Sequence, residues 1–412
     1  MPGAWPAEQV RAAEQQVLAG LPAGALMARA ARAVAVEAVT MLGFSYGAKV
    51  LLLVGSGDNG GDALFAGAEL ARRGVRVRAV LAQPDRAHQA GLAALRAAGG
   101  RVVELAGAGA ADLIVDGLVG IGARGRLRAP LLALIEHADS SHAPVLAVDL
   151  PSGVDPDTGV AEGPAITATV TVCMGALKPG LLVAEGRRRA GRIRLVPLGL
   201  APSLPPATIW QLDEAEVATA LRRPEPSDDK YTRGVVGIAA GSAAYPGAAQ
   251  LCVGAARLAG VGAVRYAGHA AAEVVRRWPE VMATSTVSGA GRVQAWVVGP
   301  GLGSGPQARE SVRLILATEL PALVDADGLN LIANDPRLRA LLVNRSAATV
   351  LSPHDREFER LFGPVGEDRI GAARRAAAEL GVTVLLKGYA TVVAAPAGYC
   401  YLNPTGVPAL AT

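Results

Sequence analysis

Short apolar runs and longer helical stretches take turns along most of the chain. The run Lys49-Val-Leu-Leu-Leu-Val54 is apolar without alternation, the pattern of a strand covered on both faces. Runs of this kind at 75–81, 101–105, 112–116, 144–149, 167–173 and 192–196 predict the other strands of a first half. The segments between them have helical spacing, so the expectation is a parallel sheet with helices on both faces. Ahead of these strands, residues 8–42 are alanine-rich with helical spacing, broken at Gly20-Leu-Pro-Ala-Gly24. The proline-rich Ala201-Pro-Ser-Leu-Pro-Pro206 predicts a linker, and the pattern then restarts. Strands are expected at 234–240, 262–266, 294–298, 321–325, 348–351, 382–386 and 391–395, with helices near 247–259, 306–317 and 367–380. The glycine-rich segments of the two halves differ in spacing and chemistry, which argues against an internal repeat.

Composition narrows the picture. The 412 residues suffice for two domains with their own cores, and 51% hydrophobic content with 50 glycines describes a folded α/β protein. The net charge of +4 is scattered, and aromatics make up only 4%. The one tight basic cluster, Arg187-Arg-Arg189, has no aromatics among it, so nucleic acid is excluded as a partner. Cys173, Cys252 and Cys400 stand far apart in apolar stretches, which predicts buried thiols in a reducing compartment, without disulfides or a cysteine metal site. Met1-Pro-Gly-Ala-Trp5 lacks a charged segment leading into an apolar core, and the apolar stretch 25–44 carries Arg29, Arg32 and Glu37. The expectation is a cytoplasmic protein with no membrane partner and a small-molecule substrate; a homo-oligomer is left open.

The candidate chemistry of the first half lies after three predicted strands. Gly55-Ser-Gly-Asp-Asn-Gly-Gly-Asp62 follows the first and precedes a helix expected to open at Ala63. Glycines there allow close backbone approach, and a helix N-terminus directs free N–H groups at an anion. Asp58, Asn59 and Asp62 crowd this loop with acid and amide groups, which points to a cation or a reacting proton in the same place. The second loop is Asp116-Gly-Leu-Val-Gly-Ile-Gly-Ala-Arg-Gly-Arg126, and the third is Asp149-Leu-Pro-Ser-Gly-Val-Asp155. Each alone reads as a turn. Three acid-bearing loops at equivalent strand ends favour a site, because open α/β sheets bind ligands there.

Together these motifs resemble the NAD(P)H-hydrate epimerase domain. That family's Asn-Asn-Gly-Gly-Asp loop stands here as Asp58-Asn-Gly-Gly-Asp62, its Val-Asp-x-Leu-x-Gly as Val115-Asp-Gly-Leu-Val-Gly120, and its Asp-x-Pro-Ser-Gly-x-Asp is intact at 149–155. The resemblance implies a Rossmann-like three-layer α/β/α domain over residues 1–205. It implies that hydrated NADH or NADPH binds Asp58, Asn59, Gly60, Gly61 and Asp62, the segment Gly120, Ile121, Gly122, Ala123, Arg124, Gly125 and Arg126, and Asp149. A potassium ion would be held by Asn59, Asp116 and Ser152, an oxygen donor set of the kind a hard cation takes. Epimerisation at C6 of the nicotinamide ring opens and recloses a bond with proton transfer, and Asp149 is expected to be the carboxylate that serves.

The second half carries Lys230-Tyr-Thr-Arg-Gly234, Tyr245-Pro-Gly-Ala-Ala249, Val298-Gly-Pro-Gly-Leu-Gly303, Val324-Asp-Ala-Asp-Gly-Leu-Asn330, Leu351-Ser-Pro-His354 and Leu386-Lys-Gly388. As an ordered set they resemble the ADP/ATP-dependent NAD(P)H-hydrate dehydratase, a ribokinase-like α/β domain, over residues 211–412. The resemblance implies that Ala248, Gly301, Gly303 and His354 meet the hydrated cofactor. Lys387, Gly388, Tyr389, Ala390 and Thr391 would meet ADP or ATP, accompanied by Mg2+. That family's Pro-His-Pro-Gly-Glu is Pro353-His-Asp-Arg-Glu357 here. The residues given stop at Thr412, ahead of the family's Gly-Ser-Gly-Asp loop, which supplies an anion hole and an aspartate base. The ribokinase-like domain is therefore expected to be incomplete, binding nucleotide weakly and not dehydrating the S hydrate.

Two other readings stand beside this one. A non-enzymatic dinucleotide-sensing or partner-binding protein would keep the pocket without the reaction. A Rossmann oxidoreductase fits less well, since Gly55-x-Gly57 lacks the third spaced glycine and an acid ending the second strand.

Overall fold

The computed structural model describes residues 2–123 and 125–407 and divides into two compact units, Met1–Gln211 and Leu212–Thr412. The first unit is built on strands β1 (Lys49–Val54), β2 (Arg76–Leu81), β3 (Arg101–Val102), β4 (Leu113–Gly117), β5 (Val145–Val148), β6 (Val170–Met174) and β7 (Arg192–Val196). They form one parallel sheet in the order β3-β2-β1-β4-β5-β6-β7. The unbroken apolar run of β1 has a direct cause. Leu51 and Leu53 pack with Leu134, Ile135 and Ala138 of helix Leu131–Ser140 on one face. Leu52 faces helix Asp58–Arg72 on the other, so closely that a Cβ on Gly67 would lie 2.5 Å from its Cδ1. Helices thus cover both faces, the three-layer arrangement expected.

The helices before β1 are Ala7–Leu18 and Ala25–Leu42, on either side of the predicted break. The strand expected at 101–105 is only Arg101–Val102; a turn of 3-10 helix follows at Leu105–Gly107. The largest difference is at the first glycine loop. The helix begins at Asp58, not Ala63, so Asp58–Asp62 form its first turn. Glycine costs about 1 kcal/mol in a helix relative to alanine. Here packing overrides propensity, since a Cβ on Gly60 would sit 2.3 Å from the Gly55 carbonyl oxygen.

The second unit uses β8 (Val235–Ala239), β9 (Ala263–Ala267), β10 (Met282–Thr284), β11 (Ala295–Val298), β12 (Ala322–Val324), β13 (Thr349–Leu351), β14 (Thr383–Leu386), β15 (Thr391–Ala394) and β16 (Cys400–Asn403). Neighbours run β16-β15-β14-β13-β12-β11-β8-β9-β10, parallel except where β15 and β16 join antiparallel. The pattern did not predict β10 or β16, which are short and hold polar residues. Helices Pro246–Leu258, Pro306–Leu316 and Arg369–Leu380 lie where their spacing predicted. Strands β11 to β15 alternate buried and half-buried residues, so one face is sealed and Leu323, Val350, Leu385 and Val393 remain half-buried on the other. Cys173 and Cys400 are buried and Cys252 is only half-buried, against the expectation of three buried thiols; all three are free. Among the described residues, no helix is long and apolar enough to cross a membrane.

A polar clasp ties helix Ala25–Leu42 to the edge strand β7. Glu37 is 1% exposed, and its carboxylate accepts hydrogen bonds from Arg192 and Arg194. Burial alone would raise its pKa, but the bonds from Arg194 and Arg192 outweigh burial and hold it below the ordinary 4.5. A depressed carboxyl stabilises the fold above its unfolded pKa, and that contribution fades as pH falls through the folded value. In urea denaturation the wild type is therefore expected to lose stability below about pH 4.5, where Glu37→Gln responds less. At pH 7, Arg192→Ala with Arg194→Ala leaves Glu37 buried and unpaired and is expected to lose about 3–5 kcal/mol.

Candidate functional site

Strand order in the first sheet reverses between β1 and β4, and ligand crevices form outside the carboxyl ends of strands at such a switch point. The loops after β1, β4 and β5 meet there. A Cβ on Gly55 would lie 1.7 Å from the Leu118 carbonyl oxygen, and one on Gly120 would lie 2.5 Å from Asn59 Oδ1. Only glycine permits this approach. Asn59 Nδ2 donates to the Val119 and Val148 carbonyls at 2.9 and 2.7 Å. Asp116, 1% exposed, accepts from Ser152 Oγ at 2.7 Å, Ser152 N at 2.8 Å and Leu118 N at 3.2 Å. Burial pushes its carboxyl up to about 6, against the pull of those hydrogen bonds. Asn59, Asp116 and Ser152 are thus drawn together around one short backbone segment, and no ion pair with Asp116 occurs among the described residues.

Asp149 follows β5 in a left-handed backbone conformation, φ 69°, which aspartate tolerates better than most residues. Its Oδ1 accepts from Lys178 Nζ at 2.5 Å and from Met174 N at 3.0 Å; Oδ2 has no partner among the described residues. Lys178 is fully buried and also donates to the Met174 carbonyl at 2.6 Å. Burial alone would discharge this ammonium, but Asp149 outweighs it and holds the pKa above the ordinary lysine value.

A cavity of about 970 Å³ opens beside the pair, lined by Glu14, Asp58, Asn59, Asp62, the segment Leu118–Ala123 and Asp149. It runs along helix Asp58–Arg72, whose Asp58, Asp62, Phe65, Glu69 and Arg72 share one stripe at helical spacing. Asp62 is 7% exposed and its Oδ1 has no hydrogen-bond partner. Burial first, then the nearby Asp149, Asp58 and Glu14, raise this carboxyl well above its ordinary range, so it favours the neutral acid.

In the second unit the predicted residues gather at carboxyl ends of parallel strands. Gly301 packs on Ala248, with 2.6 Å between the Ala248 Cβ and a Cβ built on the glycine, and Gly303 N donates to Asp327 at 2.8 Å. His354 caps helix Asp355–Phe362. Its Nδ1 accepts from Arg356 N and Glu357 N, while Glu357 accepts from His354 N at 2.9 Å. Lys387 Nζ lies 2.6 Å from Asp325 and 3.8 Å from Glu357. Arg369 donates to the Lys387 carbonyl at 2.9 Å and to Asp355, which ties the 353–357 and 387–391 segments together. Gly388, Tyr389 and Ala390 form the turn into β15, which Thr391 opens.

Of the residues the sequence singled out, Asp58, Asn59, Asp62, Gly120, Ile121, Gly122, Ala123 and Asp149 line the first cavity. Gly60 and Gly61 are buried in the turn behind it. Gly125 and Arg126 are exposed and do not line it; Arg126 lies along Gly163. Arg124 falls outside the described residues. Sequence reading did not name Glu14, Lys178 or Asp325 as site residues, nor give Glu357 a role. The one available signal was for Lys178, a lone charge in the apolar stretch after β6.

Comparison with known proteins adds an independent line. A family model described as NAD(P)H-hydrate dehydratase matches residues 236–412, and one described as YjeF-related protein N-terminus matches residues 23–180. The bifunctional NAD(P)H-hydrate repair enzyme Nnr of Mycobacterium leprae is 50% identical over 402 residues, covering 96% of this chain and 83% of that protein. The enzyme of the same name from Corynebacterium glutamicum is 37% identical over 446 residues, covering 90% and 77%. Among solved structures, the ADP/ATP-dependent NAD(P)H-hydrate dehydratase of Bacillus subtilis, co-crystallised with ATP and Mg2+, has 30% identity and a TM-score of 0.43, covering 48% of this chain and 74% of that one.

The environment of Asp62 makes a stability prediction of opposite sign to that of Glu37. A carboxyl whose folded pKa is raised must take up a proton to fold, so it weakens the fold progressively as pH rises from the unfolded pKa to the folded one. Asp62→Asn removes the charge and is expected to raise the melting temperature at pH 7–8, by more than at pH 4. Calorimetry across that pH range checks the sign.

Proposed function

Because the chain belongs to the bifunctional NAD(P)H-hydrate repair enzymes, with epimerase and dehydratase domains both present, we propose that its first half, residues 1–205, interconverts the R and S hydrates of NADH and NADPH through Asp149. The observation that carries the assignment is the Asp149–Lys178 pair, since Asp149 lines a cavity bounded by all three acid-bearing loops. A buried ammonium on one oxygen orients the carboxylate and leaves the other to take a proton. The hydrated dinucleotide is recognised by Asp58, Asn59, Asp62 and the Gly120–Ala123 segment, with Gly60 and Gly61 giving the backbone room at the helix N-terminus.

Asn59, Asp116 and Ser152 fit a potassium ion. Asp116 is a buried carboxylate without a counter-charge among the described residues, and the Val119 and Val148 carbonyls that meet the Asn59 amide add hard oxygen donors. Such an ion would supply a fixed positive charge between the loops. The second half, residues 211–412, is read as the dehydratase domain, with Ala248, Gly301, Gly303 and His354 toward the hydrated cofactor. Lys387 and the turn to Thr391 would face the ADP or ATP phosphates, where lysine acts as a point charge. Asp325 and Glu357, which hold that lysine, are carboxylates suited to an accompanying Mg2+. The matched relatives are named as repair enzymes, which favours catalysis over dinucleotide sensing without a reaction. The free cysteines support a cytoplasmic setting.

Two experiments test this reading. Asp149→Asn keeps size and loses the base, and epimerisation of a separated hydrate epimer, followed chromatographically, is expected to slow by about 10²–10⁴-fold. Unchanged turnover would remove Asp149 from the mechanism. Replacing potassium by a bulky organic cation at equal ionic strength is expected to lower the melting temperature of wild type but not of Asp116→Asn. Equal shifts in both proteins would count against an ion at this place.

A further inference from the structure

Helix Ala7–Leu18 lies ahead of residues 23–180, the part matched by the YjeF-related family model, yet the structure builds it into the site. Trp5 N donates to the Leu177 carbonyl at 2.9 Å, and Ala4 bridges the same residue, immediately before Lys178. The helix N-terminus at Ala7 donates to Asp157 at 2.7 Å, in the loop that follows Asp149. One face of the helix is buried through Ala7, Val10 and Ala13. These ties bring Glu14 to the cavity wall. Its Oε1 lies 3.8 Å from the position a Cβ would take on Gly175, next to Met174, whose backbone holds both Asp149 and Lys178.

Glu14 makes no hydrogen bond or ion pair among the described residues, although Lys178 and Arg11 are both within electrostatic reach. Burial is the main influence on it and raises its pKa. Lys178 and Arg11 pull the other way, while Asp149 and Asp58 add to the rise. The carboxyl is half-buried, unpartnered among the described residues and disposed to hold a proton, and it lines the same cavity as Asp149, which accepts a hydrogen bond from a buried ammonium. An epimerisation at a hydrated carbon needs a proton donor and a proton acceptor at once.

We propose that Glu14 is the second proton-transfer group of the epimerase site, acting as the acid while Asp149 acts as the base. The inference rests on the epimerase reading above. In the step, the Glu14 proton passes to the C6 hydroxyl oxygen, the C6–O bond breaks, and water leaves with the bonding pair. The lone pair of ring nitrogen N1 forms the C6=N1 double bond. Water then adds to the other face of C6, the electron pair returns to N1, and the proton of the added water goes to Asp149 Oδ2. Glu14 ends as a carboxylate and Asp149 as an acid, and the open cavity lets solvent restore both. The reverse epimerisation uses the same two groups with roles exchanged.

The test compares wild type, Glu14→Gln and Glu14→Asp as full 412-residue chains, following each separated hydrate epimer from pH 5 to pH 9. Glu14→Gln is expected to lose about 10²–10³-fold in kcat with KM within about twofold, and to lose the fall in kcat on the alkaline side. Glu14→Asp, shorter by one methylene, is expected to recover part of kcat and the alkaline limb. A Glu14→Gln protein with wild-type kcat and pH profile overturns the proposal. So does one whose loss comes with a lower melting temperature and an intact alkaline limb, because that marks a structural role. A wild-type chain that leaves the epimer ratio unchanged instead strikes the epimerase reading itself.

Discussion

The place of Asp149 at the carboxyl end of the first sheet depends on one ammonium group sealed from solvent. Lys178 lies 2.5 Å from Asp149, and among the described residues no other cation is buried in that neighbourhood. Five carboxyl groups line the cavity, those of Glu14, Asp58, Asp62, Glu69 and Asp149, and the lysine holds only Asp149 directly. Asp62 and Glu14, which lack that contact, are pushed toward the neutral acid, by burial above all. The left-handed backbone of Asp149, which costs of order 1–3 kcal/mol, is held by the same contacts, since Met174 contributes its N–H to Asp149 and its carbonyl to Lys178.

Much of the fold was legible because its strands are buried on both sides. Leu51, Leu52 and Leu53 face alternate layers and all are sealed, so the run needs no polar interruption and reads unambiguously. The short strands Met282–Thr284 and Cys400–Asn403 were not legible, as three or four residues with Thr or Asn among them have no period to detect. The early start of helix Asp58–Arg72 was hidden for another reason. Two consecutive glycines read as a turn, and only the Gly55 carbonyl, brought back against Gly60, shows why that stretch is helical.

The site divides along the same line. Asn59, Asp116, Ser152 and Asp149 stand at or just after the ends of predicted strands, so sheet topology alone brings them together. Glu14 stands in an alanine-rich helix between Ala13 and Gln15 and looks like part of a solvated face. Its meaning comes from Leu177 and Asp157, well over a hundred residues away. Asp325 was written out as part of a motif, but its pairing with Lys387 closes a loop in space that spacing along the chain cannot show.

The glycine contacts at β1 and β4 bear on how such a site can change over time. Gly55 meets the Leu118 backbone, and Gly120 meets the Asn59 side-chain amide, so a Cβ on either glycine has no room. A substitution in one loop therefore displaces the next, and single-residue drift here is blocked in both directions. Side chains from helices Ala7–Leu18 and Ala25–Leu42, such as Gln15, Leu18 and Leu26, also line the cavity and make no such glycine contact. Change in the shape of the cavity would then accumulate at those side chains, while the glycine loops are inherited as a block.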